Sequence, residues 1–331
     1  MKFFVIILLA FCFNFSFLSS IYAQDDLRKK ANLIFGKIPA QMPGSEDDTA
    51  EQIALGERLY FETALSANNT QSCNSCHTLL DGAAGVDGLK RSLGALGVVA
   101  RRNTPSTWNA GFQFAQNWDA SAKTLAEQAR TPILSAEEMA LPSEKEAIKR
   151  LRRAGYKKAF KDTFPEQSKA LNFENIVQSL AAFQRTLITK DRFDDYLSGD
   201  DKALTDQEKT GLELVLNKGC TVCHSGPLMG GRFIMKMGLV NPYSNVDDKG
   251  VPEITGNKAQ EFLFKVPALR NTAQTAPYFH DGEGATLEQA VFDTGWLQLG
   301  IKLSDQEVAD ISAFMRALDN TRPFKPSVLG K

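Results

Sequence analysis

Apolar residues recur at helical spacing in runs separated by polar, turn-rich stretches. Ile53, Leu55, Leu59 and Tyr60 follow a segment in which Ser45 and Asp48 offer a capping box, and Ile176, Leu180, Phe183 and Leu187 later keep the same period. The plan then repeats. Thr205 with Glu208 predicts the start of a helix bearing Leu212, Val215 and Leu216 that stops at Lys218-Gly219, and Ser304 with Glu307 predicts another through Val308, Ile311, Phe314 and Leu318. Two such pairs predict an internally duplicated, all-α chain whose apolar stripes form the cores. The stretches Ala83 to Arg102 and Leu228 to Ala259 are rich in glycine and turn formers and predict loops, a place where function often resides.

The first residues change the picture of location. Met1-Lys2 precedes an apolar run from Phe3 to Phe13, and small residues end at Ala23 before Gln24-Asp25-Asp26, the pattern of a secretory signal peptide over residues 1–23. Asn14, Ser16, Ser19 and Ser20 interrupt the run short of the roughly 20 apolar residues of a membrane anchor. The expectation is cleavage after Ala23, a periplasmic protein and no stable membrane anchor. Cys12 leaves with the leader. The 331 residues carry a formal net charge of −1, which gives no global basis for binding nucleic acid or an anionic membrane. Lys149, Arg150, Arg152, Arg153, Lys157 and Lys158 form a basic helical stretch, read as a solvated face in preference to a docking patch.

The remaining four cysteines of an exported chain would ordinarily predict disulfides. Their spacing argues otherwise. Cys73-Asn74-Ser75-Cys76-His77 and Cys220-Thr221-Val222-Cys223-His224 both read C-x-x-C-H, the attachment pattern of c-type haem, with two thiols for the vinyl groups and a histidine for the iron. Together they consume every cysteine beyond the leader and two of the three histidines. No second cluster of Cys or His remains to complete a zinc site. Two helices flanking a haem-binding loop suffice to bury most of a macrocycle. The chain therefore reads as two cytochrome c-like haem domains with long loops and an interdomain interface, residues 24–190 and 191–331, joined near Lys190 to Asp201.

The supply of iron ligands is short. With His77 and His224 proximal, only His280 remains, so at most one haem can be bis-histidine. Met42, Met139, Met229, Met235, Met237 and Met315 could each offer a thioether, but spacing identifies none. Met139 and Met315 read as packing, whereas Met235 and Met237 stand in the loop after the second motif.

Further segments bring a resemblance. Leu55-Gly56-Glu57-Arg58-Leu59-Tyr60-Phe61, Gly85-Val86-Asp87-Gly88, Arg102-Asn103-Thr104-Pro105-Ser106, Trp118-Asp119 and Glu138-Met139 occur in order, followed by Val266-Pro267-Ala268-Leu269-Arg270-Asn271 and Tyr278-Phe279-His280-Asp281-Gly282. Over nearly the whole chain beyond the leader, this resembles the bacterial dihaem cytochrome c peroxidase family, which includes the MauG-type enzymes. The resemblance implies two covalently bound haem c groups, a peroxide-reacting one on Cys73, Cys76 and His77 and an electron-transfer one on Cys220, Cys223 and His224. It implies Glu138 and Gln128 as distal acid and amide, Trp118 as a π bridge between haems, and Asn103, Thr275 and the Pro277 carbonyl as calcium ligands. His280 is expected near a propionate or the interface and is not assigned to iron.

Two positions depart from the family pattern. The histidine that blocks the active haem in many members is replaced by Ala95, so peroxide is expected to react without prior reduction. The distal methionine of the relay haem falls near Thr294, a poor iron ligand. The function implied is reduction of hydrogen peroxide with electrons from a small cytochrome c or cupredoxin, with a homodimer kept open. The alternatives are a MauG-like oxidase, in which a high-valent dihaem state oxidises a protein or organic substrate, and a non-enzymatic dihaem electron carrier.

Overall fold

The computed structural model describes residues 25–327, so the leader expected over 1–23 lies outside them. Helix α1 covers 25–34, and α2 (Ala50–Tyr60) leads through the single turn α3 (Cys73–Cys76) and a long irregular stretch to α4 (Leu125–Leu134). There follow α5 (Glu144–Arg153), α6 (Lys157–Thr163), α7 (Phe173–Gln184) and the short α8 (Arg192–Leu197). The second half holds α9 (Asp206–Asn217), the turn α10 (Pro252–Thr255), α11 (Leu287–Leu299) and α12 (Asp305–Ala317). Against the all-helical expectation, β1 (Ile234–Lys236) pairs antiparallel with β2 (Leu263–Lys265), with Met235 opposite Phe264. β1 lies inside a stretch expected to be loop. Three residues are too few to display a period of two, and the partner strand lies outside that stretch.

The duplication is visible at two helix crossings. A Cβ on Gly56 of α2 would lie 1.9 Å from the Ser179 carbonyl oxygen of α7, and one on Gly211 of α9 would lie 2.0 Å from that of Asp310 on α12. In both, beyond that carbonyl group the nearest atom is the β-carbon of a phenylalanine, Phe183 or Phe314, at 2.8 Å. Glycine within a helix costs about 1 kcal/mol relative to alanine. Here it lets two helix backbones meet, which no side chain would allow.

Each pair seeds a core. Leu59, Tyr60, Ile176, Leu180 and Phe183 gather with Ile133, Leu151 and Phe160, while Leu212, Val215, Val308, Ile311 and Phe314 gather with Phe193 and Tyr196. The first and last described segments cross over. Leu27, Ala31 and Phe35 of the N-terminal arm pack into the second core, whereas Phe324 stacks on Phe61 and meets Phe183 edge-on in the first. The Ser327 amide donates to Glu57 of α2 at 2.6 Å.

The capping boxes Thr205 with Glu208 and Ser304 with Glu307 both form, and Gly219 turns the chain after α9 at φ 95°. The cap expected at Ser45 moves to Thr49, whose side chain accepts from Gln52 N–H. The Asp48 carboxylate is committed elsewhere, taking both Nε and Nη2 of Arg185 at 2.5 Å. Ion pairs fasten the segments between the cores. Asp191 caps α8 and meets Arg270 with both side chains fully buried, and Arg102 reaches Asp248 across the halves at 2.6 and 2.9 Å. Breaking a buried pair costs several kcal/mol because it strands the other charge. No helix among the described residues is long and apolar enough to cross a membrane.

Candidate functional site

The first C-x-x-C-H is held by the end of α2. Cys73 to Cys76 make one helical turn, His77 N–H closes it on the Cys73 carbonyl at 2.9 Å, and Tyr60 Oη donates to the His77 carbonyl at 2.6 Å. Cys73, Cys76 and His77 border a cavity of about 80 Å³ together with Gln128 and Glu138. Gln128 comes from α4, capped by Thr124, and Glu138 from the turn that follows. Burial pushes the Glu138 carboxyl up to about 7, with Glu137 adding to the rise. The Glu138 segment is fixed through its backbone: N–H donates to Ser135 at 3.1 Å, and its carbonyl accepts from Ala95 at 2.6 Å. Gly94 lies so close to this turn that a Cβ would be 2.3 Å from the Glu137 oxygen. At Ala95 the loop therefore presents a methyl group beside the acid-bearing turn and no ligating side chain.

The second motif is set by the end of α9. Gly219 opens a 3₁₀ turn over Cys220–Val222, and His224 N–H bonds the Cys220 carbonyl at 2.8 Å. The cavity beside it, about 280 Å³, is bordered by Cys220, Cys223, His224, Met235, Met237 and Thr294. Thr294 reaches it from α11.

One wall is common to both cavities, formed by Pro105, Ser106, Gln113, Asn117 and Lys265. Trp118 follows Asn117 and faces the larger cavity, its indole N–H donating to the Asn103 carbonyl at 2.9 Å and its ring edge-on to His280 at 6.4 Å. His280 is buried, stacks on Phe264 at 4.1 Å, and has an Nε2 without a hydrogen-bond partner. It sits at the junction of the halves, since its carbonyl accepts from Asn103 N–H at 2.8 Å. Asn103, Thr275 and Pro277 line the same cavity. The Asn103 amide nitrogen donates to the carbonyls of Leu89 and Lys90, so its neutral oxygen is the atom turned away from these bonds and able to ligate a cation. Among the described residues no group of three His, Cys, Asp or Glu could hold a metal.

Lys265 was not anticipated. It is 6 % exposed, and its ammonium donates to the neutral Gln113 amide. Burial lowers it to about 8, with Asp119 pulling the other way. A buried cation without a bonded anion is costly. The signal available was a lysine enclosed by Phe264 and Val266 in a short apolar run.

These residues fit haem c. The four cysteines form no disulfide, each borders a cavity with its own histidine, and burial pushes the Cys73 thiol up to about 12. Burial also lowers both His77 and His224, favouring the neutral imidazole that iron requires. His224 Nδ1 is bonded to the Met229 carbonyl at 2.9 Å, which leaves Nε2 for a metal. Lys265, at the common wall, places a cation beside both cavities.

Comparison with known proteins agrees with this chemistry. Residues 50–202 match the family model described as di-haem cytochrome c peroxidase. The chain is 37 % identical to a cytochrome c551 peroxidase of Pseudomonas aeruginosa over 93 % of its own length and 90 % of the relative's. It is 39 % identical to one from Nitrosomonas europaea, covering 85 % and 84 %. A crystal structure of a MauG-like protein associated with microbial copper homeostasis superposes with a TM-score of 0.77 at 30 % identity, covering 88 % of this chain and 97 % of that one.

Proposed function

Because this chain belongs to the di-haem cytochrome c peroxidase family and is an oxidoreductase of that class, we propose that it reduces hydrogen peroxide to two waters at the site of Cys73, Cys76 and His77. Two protons are consumed, and two electrons arrive through the site of Cys220, Cys223 and His224 from a small cytochrome c or cupredoxin. The observation that carries this reading is Glu138, a half-buried carboxyl that desolvation holds near neutrality, on the first cavity and not on the second.

The haem groups, when bound, supply the iron redox chemistry that cleaves the O–O bond and the path by which electrons reach it. Glu138 can take a proton from one peroxide oxygen and return it to the other, which then leaves as water. A value near 7 suits both transfers, because the group exchanges its proton readily at ambient pH. Gln128, on the same wall, orients peroxide with an amide that does not titrate. Trp118 contributes a π surface beside the common wall, and Lys265 would offset negative charge carried by a bound haem. Ala95 leaves the first site without a blocking ligand, so peroxide enters the oxidised protein directly. Asn103, Thr275 and the Pro277 carbonyl would hold a calcium ion, completed by water, at the junction of the two cytochrome c-like domains. The leader would direct the chain to the periplasm.

Stopped-flow mixing of the oxidised protein with peroxide, followed by reduced cytochrome c, tests the reading. Rapid oxidation of the donor is expected. A second reading, a MauG-like oxidase acting on a protein or organic substrate, is favoured by Thr294 at the relay site and by the likeness to a MauG-like structure. A long-lived oxidised species indifferent to the donor would select it.

A further inference from the structure

Thr294 leaves the C-terminal iron without the distal thioether expected from helix α11, yet two thioethers border the same cavity from β1 and the residue after it. Met235 and Met237 both border this cavity while Lys236 between them is exposed, so the two thioethers share one face. The two sulfurs are not equivalent. Met235 pairs with Phe264, which stacks on His280 at the interface side. Met237 is tied to α11: Gln298 Nε2 donates to Met237 Sδ at 3.7 Å, while its Oε1 accepts from Leu239 N–H at 3.0 Å. Gln298 lies four residues after Thr294, hence on the same face of α11. The Met237 sulfur is thereby held over the helix face from which Thr294 enters the cavity. Thioether sulfur has two lone pairs, so a bond from Gln298 leaves one for a metal.

We propose that Met237 is the distal ligand of the C-terminal haem iron, supplied from the β-hairpin in place of residue 294 and positioned by Gln298. This rests on the reading that Cys220, Cys223 and His224 hold a haem. A histidine and methionine pair keeps iron low-spin and raises its potential relative to loss of the thioether. The relay site would then remain a high-potential electron acceptor despite Thr294.

The test uses the full protein matured with haem, its two adducts counted by mass, its fold checked by circular dichroism, and its oxidised spectrum recorded. The wild type should show the far-red sulfur-to-iron charge-transfer band. Met237→Leu should abolish that band and lower the C-terminal potential, Met237→His should abolish it while keeping the haem low-spin, and Met235→Leu should leave it intact. Gln298→Leu should weaken or shift the band without removing a haem. The band surviving Met237→Leu, vanishing in Met235→Leu, or missing from a wild type carrying both haems would each overturn the inference alone. Absence of the adduct on Cys220 and Cys223 would overturn the underlying haem reading together with it.

Discussion

In the first half of the chain Gly56 brings α2 against α7, and the residue one turn later, Tyr60, reaches the carbonyl of His77 with its hydroxyl. In the second half Gly211 brings α9 against α12 in the same way, but the residue one turn later is Val215, which has no hydroxyl to offer and packs in the core at the edge of the second cavity. The divergence continues around each cavity. The first is bordered by Glu138 and Gln128, the second by Met235, Met237 and Thr294. A duplicated helical frame thus presents the same C-x-x-C-H motif twice, while the linings differ in chemistry. In the proposed reaction the half-buried acid of the first, held near neutrality, would move protons. The polarisable, non-titrating sulfurs of Met235 and Met237 beside the second would favour electron storage.

Removing the acid should have the largest effect. Glu138→Gln keeps size and polarity but cannot carry the proton, and kcat for peroxide reduction should fall by about 10² or more. Both haem adducts should persist by mass, and an unchanged kcat would remove Glu138 from the mechanism. The same group sets a pH dependence. As proton acceptor it must be ionised, so with a value of about 7 the rate should be full above neutrality and fall about tenfold per unit below it. That limb should flatten in Glu138→Gln. If it persists unchanged, another group controls it.

The shared frame can be probed independently of the linings. Gly56→Ala and Gly211→Ala each force a methyl into a facing carbonyl, and each should cost about 1–3 kcal/mol or more. Hydrogen exchange should show the loosening confined to the half that carries the substitution. Equal loosening of both halves would mean that the crossings are not separate seeds. The smallest effect is expected at the common wall. Lys265→Met removes a cation that borders both cavities, so both haem potentials should drop together in a redox titration. A shift at one haem alone would assign the lysine to that site only.

Much of this arrangement was legible in the residues. The helix pairs, two capping boxes and both haem motifs depend on local spacing and appear where the pattern places them. The cap of α2 was misplaced because Asp48 answers to Arg185, a residue distant in sequence. The strand β1 escaped because its partner is also remote. Lys265 could be seen to lie among apolar neighbours, but that it borders both cavities follows from the folded chain.

By itself the sequence determined the two C-x-x-C-H motifs and which helices would be amphipathic, because thiol spacing and helical period act over a few residues. The tertiary structure alone decided that Glu138 is desolvated enough to raise its carboxyl, that Met237 lies against α11, and that each core is completed by a segment from the other half of the described residues. Desolvation and side-chain reach depend on which distant segments meet, and the nearest-neighbour order of residues does not contain that.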